Sequence, residues 1–149
     1  MDDDRVLLVV SSAQLATGAG GLALALRRRH AFDLPFWPGQ PAAVGRDALL
    51  MGTALSAPVV MLGAQAGAIA ALLRGPSPAA RRLLGGLGAA MVAGYLAERL
   101  VRHRLAPAGW DTVESPVIVA GISLAAAMAL IGLRPARGRA EAGGGEPPA

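Results

Sequence analysis

The sequence predicts an all-α integral membrane protein, a bundle of four transmembrane helices. Of its 149 residues, 54% are hydrophobic and only 16% are charged, whereas a soluble domain usually carries about 25% charged residues. The hydrophobic residues fall into four long apolar runs. A helix needs roughly 20 apolar residues to cross the ~30 Å hydrocarbon core of a bilayer, and these runs approach or exceed that length.

The four predicted helices cover about residues 6–29, 47–73, 78–103 and 113–133. The first two apolar runs, residues 6–26 and 48–73, are long enough and contain no charged residue. The third is long enough only if Glu98 and Arg99 lie at the level of the lipid headgroups, which a long arginine side chain can reach. The fourth is long enough if it begins near Val113. Pro58 is expected to kink the second helix.

The residues between the runs are typical of helix ends. Gly75 predicts the end of the second helix, and Ser77 before Pro78 predicts the start of the third. Asp111 with Glu114 forms a capping-box pattern for the fourth helix, and Ser115 before Pro116 offers a second possible start for it.

The composition also excludes several classes of protein. The acidic start MDDDR and the long first run argue against a cleaved signal peptide. A soluble bundle would need a polar face that the first two runs lack. The chain has no cysteine and no lysine, so thiolate and Schiff-base chemistry are excluded. We expect no cofactor, no metal and no nucleic acid, because the arginines flank apolar runs and the zinc spacing HExxH is absent.

Residues 1–134 are expected to form one transmembrane domain. Residues 135–149 are rich in Gly, Pro and Ala and are expected to be disordered. The bilayer of the plasma membrane is the expected environment.

Small residues recur at helical spacing and predict close helix packing in lipid. On the second and third helices the predicted packing residues are Gly63, Gly67, Gly86, Ala90 and Gly94. The first and fourth helices carry comparable stripes at Ser11, Gln14, Gly18 and Gly21, and at Gly121, Ala125 and Ala129. The main buried polar candidates are Gln14, Thr53, Ser56 and Gln65, expected to form hydrogen bonds between helices.

Four spans place the loops 30–46 and 103–113 on the same side of the membrane. This end of the bundle, called the loop face, receives both histidines and the tryptophans and phenylalanines. The expected interfacial anchors are Phe32, Phe36, Trp37 and Trp110. The expected headgroup-binding arginines are Arg27, Arg28, Arg29, Arg102 and Arg104.

The fourteen arginines divide evenly between the two faces, so they do not decide the orientation of the protein in the membrane. The arginines after the first helix favour a cytoplasmic loop face.

Two interpretations of the loop face remain open. In one, histidines and carboxylates form a catalytic or ligand-binding pocket for a lipid-like substrate. The candidate residues for that chemistry are His30, His103, Asp33, Asp111 and Glu114. In the other, these groups are solvated or cap helices. Because the helices carry stripes of small residues and the sequence has no recognisable catalytic motif, the leading prediction is a non-enzymatic accessory or assembly component, as a homo-oligomer or with a membrane-protein partner. An oligomeric transporter or channel is a further alternative.

Overall fold

The computed structural model describes residues 3–28, 33–34, 37–38, 48–50, 52–53 and 55–135. Apart from one two-residue antiparallel β-pair, its regular structure is helical. In chain order the elements are α1 (Asp3–Arg28), β1 (Asp33–Leu34), β2 (Trp37–Pro38), α2 (Val59–Arg74), α3 (Pro78–Ala97), α4 (Arg99–Leu105), a 3₁₀ turn (Pro107–Gly109) and α5 (Glu114–Gly132). Of the predicted tail, residues 135–149, all but Pro135 lie outside the described residues.

Two helices, α1 and α5, are long and apolar enough to cross a membrane. The bent pair α3 and α4 makes a third when it is counted as one span. Helix α2 is apolar but has only 16 residues, about 24 Å at 1.5 Å per residue, which is shorter than the hydrocarbon core. The protein is therefore helical, with two or three helices that can span a membrane.

The four long helices contact one another in a ring. Helix α5 packs along both α1 and α3, and α2 packs against the same two helices from the other side. The stripe predicted on α1 is buried along its whole length, from Ser11 to Gly21. Gly21 lies against the backbone oxygen of Leu55, and a Cβ at Gly18 would be 3.0 Å from the side chain of Leu62. The small residues of α1 thus let α2 and the segment before it approach closely.

The prediction of one continuous second helix over 47–73 is wrong. Residues 48–50 are helical, but the next regular helix begins only at Val59. Gly52 has φ +83°, a conformation that interrupts a helix and that glycine adopts readily. Thr53 and Ser56 then pair with each other through two backbone hydrogen bonds. Pro58 does not kink a helix but precedes its first residue, as expected from a residue without a backbone N–H.

The third predicted helix also differs from the structure. Helix α3 ends at Ala97 and α4 leaves it at an angle of 78°. The bend lies at Glu98, whose backbone is extended. Arg102 stabilises the open end of α3, because its guanidinium donates hydrogen bonds to the carbonyl oxygens of Leu96 and Ala97. The predicted ends at Gly75 and Ser77 are confirmed, and the Ser77 hydroxyl accepts a hydrogen bond from the Ala80 N–H.

The packing residues predicted on the second and third helices do not join helices of this chain. Gly63, Gly67, Gly86, Ala90 and Gly94 are all exposed, and the space beside each of these glycines is open. The inward side of α3 instead carries Gly85 and Gly88, which touch the backbone of α5. Four-residue spacing identifies a stripe of small residues but not the side of the helix on which the bundle lies. On α5 the predicted stripe is confirmed, since Gly88 lies against Ala125 and Ala129.

Candidate functional site

The loop face centres on Glu114, the first residue of α5. Its side chain is fully buried, and its two carboxylate oxygens accept hydrogen bonds from different arginines. Arg28, at the end of α1, donates to one oxygen over 2.5 Å, and Arg104, in α4, donates to the other over 2.7 Å. A buried carboxylate is tolerated when opposite charges and hydrogen bonds satisfy it. This arginine–glutamate–arginine cluster therefore joins α1, α4 and α5 at one end of the protein.

The start of α5 is built by Asp111 and Ser115 together. The Asp111 carboxylate accepts hydrogen bonds from the backbone N–H groups of Val113 and Glu114, as the predicted cap requires. The reciprocal bond of a capping box does not come from Glu114. It comes from Ser115, whose hydroxyl accepts from the Asp111 N–H and donates to the Arg104 carbonyl oxygen. Ser115 thus lies within α5 and does not begin it, because α5 starts one residue earlier.

The same contacts set the charge state of Asp111. The N–H of Glu114 and then that of Val113 hold the pKa of Asp111 below its ordinary value of 3.8. Partial burial opposes the lowering of this pKa, whereas the positive charges of Arg28 and Arg104 contribute to the lowering. Asp111 is consequently an anion at neutral pH and lies 3.5 Å from Arg28. Its contacts are those of a helix cap and not those of a general base.

Several predicted site residues do not join this cluster. His103 and Arg27 are exposed, and Trp110 is 53% exposed. The candidates that lie outside the described residues are His30, Arg29, Phe32 and Phe36. For Asp33 and Trp37 the structure describes the backbone, which forms the β-pair. Among the three predicted catalytic candidates whose side chains the structure describes, Asp111 and Glu114 come together and His103 does not, and both carboxylates are held by hydrogen bonds within the protein.

A second ionic contact lies at the opposite end of the bundle and is absent from the sequence predictions. Arg81, in the first turn of α3, forms an ion pair with Asp4 in α1 and donates to the Ile131 carbonyl oxygen in α5 over 3.0 Å. The pair spans 77 positions of sequence, so local spacing carries no signal for it. The charged residues at both ends of the bundle thus tie α1 to α5.

A buried polar group lies between these two ends. The Gln65 side-chain amide donates to the Ser11 carbonyl oxygen over 2.8 Å and approaches the sulfur of Met128 at 3.7 Å. Gln14 is fully buried one turn further along α1. Within the described part of the chain, neither polar atom of the Gln14 amide has a hydrogen-bond partner. Gln14, Thr53, Ser56 and Gln65 are buried as predicted, but among the described residues only Gln65 forms the expected hydrogen bond between helices. The Thr53 hydroxyl has no partner there, and the Ser56 hydroxyl donates to the carbonyl oxygen of its neighbour Ala57.

No ligand chemistry emerges from these contacts. Across the described ranges, no three His, Asp or Glu side chains are grouped so that they could hold a metal ion. These contacts fix helix ends and hold helices to one another. Comparison of the chain with protein-family models, with curated proteins and with solved structures found no match.

Proposed function

We propose that this chain is a multi-pass protein of the plasma membrane that crosses the bilayer four times. Its function in this proposal is assembly: it associates with a second copy of itself through the outward sides of α2 and α3. It carries out no reaction of its own. The observation that carries the proposal is the outward position of the small residues on those two helices.

The four crossings are supported by the two ionic contacts. Glu114 and Arg28 mark one end of the bundle, and Asp4 and Arg81 mark the other. Helix α1 runs from the second end to the first, and α3 begins again at the second. The chain between them must therefore return across the apolar layer. Helix α2, together with the described residues before it, of which Leu55 packs on α1, supplies this return.

The outward small residues favour association with another helix. Gly63 and Gly67 on α2, and Gly86, Ala90 and Gly94 on α3, follow the small-xxx-small spacing and are exposed. In lipid, such a stripe lets a second backbone approach and gain van der Waals contacts. The stripes lie on two helices that are in contact. A symmetric pair of chains can therefore bury both stripes of each copy.

Cysteine cross-linking tests this association, because the natural chain has no cysteine. Ala90→Cys places one thiol on the outward stripe of α3. Leu130→Cys is the matched control, since Leu130 is 66% exposed on α5 and therefore also faces outward. In native membranes under mild oxidation, we expect a disulfide-linked dimer for the Ala90 variant and much less for the control. Equal yields at both positions would refute association through α3.

The alternatives have less support among the described contacts. An enzyme or lipid binder at the loop face would use Glu114 and Asp111, yet both make hydrogen bonds inside the protein. A channel would need polar side chains along a path, and the Thr17 hydroxyl donates to the Ala13 carbonyl oxygen of its own helix.

A further inference from the structure

The segment from α4 to Trp110 leaves the direction of the bundle. Helix α4 turns away from α3 by 78°, and a 3₁₀ turn follows it before Trp110. If α3 lies close to the membrane normal, as the proposed crossings require, α4 runs almost parallel to the membrane surface. A short helix in that orientation lies at the level of the headgroups and not in the hydrocarbon core.

This segment has a different chemistry on its two sides. Val101 is completely buried, and Leu100 packs partly against the core of the protein. Arg102 and His103 are exposed on the outside. Trp110 is also largely exposed. An amphipathic helix with outward cations and a neighbouring tryptophan is typical of segments at the membrane interface.

The described carboxylates near this segment add little negative charge to its surface. Glu98 is 5% exposed and Glu114 is fully buried. Asp111 is a quarter exposed and lies beside Arg28. Exposed charge on the described part of the loop face is therefore mainly positive, from Arg27 and Arg102 among others. The burial of Glu98 and Glu114, and the pairing of Asp111 with Arg28, leave the described side chains of this segment with a mainly cationic surface.

From these observations we infer that the surface from Arg102 to Trp110 binds the headgroups of anionic phospholipids. Arg102 uses one guanidinium nitrogen, Nη1, for its bonds to the end of α3. Its other N–H groups can donate to a phosphate oxygen, the acceptor that a guanidinium fits well. His103 lies next to it on the exposed side, and the Trp110 indole enters the boundary between headgroups and acyl chains.

Quenching of Trp110 fluorescence by brominated lipids tests the inference directly. The chain has two tryptophans, so Trp37→Phe leaves Trp110 as the only reporter. The full-length protein is placed in phosphatidylcholine–phosphatidylglycerol nanodiscs in which the bromine is carried by one lipid or the other at equal mole fractions. We expect about two- to fivefold stronger quenching by the brominated phosphatidylglycerol, because each interfacial cation favours anionic lipid.

Two variants and a change of salt concentration separate this binding from a general effect of charge. Arg102→Gln with His103→Gln should bring the quenching ratio close to one. Arg82→Gln, which removes an exposed arginine at the opposite end, should leave the ratio unchanged. In the protein that keeps Arg102 and His103, high salt should lower the quenching ratio, because salt screens the charges. Equal quenching by both lipids at low salt, or a preference that salt does not change, would overturn the inference whether or not the double variant folds.

Discussion

Arg28 and Glu114 are 86 positions apart in the sequence, yet the Arg28 Nη1 atom lies 2.5 Å from the Glu114 Oε1 atom. The carboxylate is fully buried, whereas the arginine side chain is 37% exposed. The pair therefore has one end in the protein and the other near solvent or headgroups. This geometry keeps the arginine hydrated while it neutralises an anion that could not be buried alone. The first and last long helices are thereby held together at the loop face.

Replacing Glu114 tests the importance of this cluster. Glu114→Gln keeps the shape of the side chain but leaves the charges of Arg28 and Arg104 without their buried partner. Because both arginines keep some exposure, we expect a loss of about 1–3 kcal/mol in the free energy of unfolding, below the cost for a fully buried pair. Unfolding by sodium dodecyl sulfate in mixed micelles, followed by circular dichroism, measures it. Asp3→Asn, at an exposed carboxylate, is the control and should change little. A similar small change in both variants would contradict the structural role of Glu114.

Gly88 and Gly86 are a matched pair on α3, one facing inward and one outward. A Cβ at Gly88 would lie 2.5 Å from the Ala125 oxygen and 2.7 Å from the Ala129 nitrogen. Both are backbone atoms that cannot move aside, so Gly88→Ala should lower the free energy of unfolding by about 2–3 kcal/mol. Within a single chain, Gly86→Ala meets open space. In micelles dilute enough to keep the chain monomeric, it should leave the free energy of unfolding unchanged or raise it by up to about 1 kcal/mol. The same detergent titration compares them. Equal losses would show that the inward side of α3 is misassigned.

Asp111 makes the stability of the loop face depend on pH. Its pKa is lowered in the folded protein, first by the Glu114 N–H. The contribution of Asp111 is therefore fully present above its ordinary pKa of 3.8 and is lost as the pH falls through the lower, folded value. Asp111→Asn keeps a capping side chain but does not titrate. The free energy of unfolding of this variant should fall less steeply between about pH 5 and pH 2. Identical slopes for the two proteins would contradict the assignment.

The helix ends at Gly75 and Ser77 were predictable because they depend on a few neighbouring residues. Ser77 followed by Pro78, and Gly75 after the second apolar run, are local signals with local causes. The break before α2 was not predicted, although Gly52 and Pro58 are visible in the sequence. An apolar composition is the same for an extended segment as for a helix, so hydropathy alone could not detect the interruption.

The contacts of the candidate site were largely hidden for a different reason. Arg104 and Asp111 lie close to Glu114 in sequence, but Arg28 does not, and nothing local indicates which arginine α1 contributes. The predicted stripe on α1 includes two polar side chains, Ser11 and Gln14, and both are buried. Polar side chains in an apolar helix favour the side that faces other helices. The stripes on α2 and α3 consist of small residues on several sides, so composition could not tell the inward glycines from the outward ones.

The two buried glutamines should respond differently to the same substitution. Gln65 donates to the Ser11 carbonyl oxygen, so Gln65→Leu removes an interhelical hydrogen bond and should lower the free energy of unfolding by about 1 kcal/mol. In the described structure the Gln14 amide has no partner, and a buried amide without hydrogen bonds is unfavourable. Gln14→Leu should therefore leave the stability unchanged or raise it by up to about 2 kcal/mol. Glutamine and leucine side chains differ little in size, so the change in packing should be comparable at the two positions. Both variants are measured by the same detergent titration. A clear loss of stability in Gln14→Leu would mean that its amide is satisfied after all, for example by a buried water between α1 and α2.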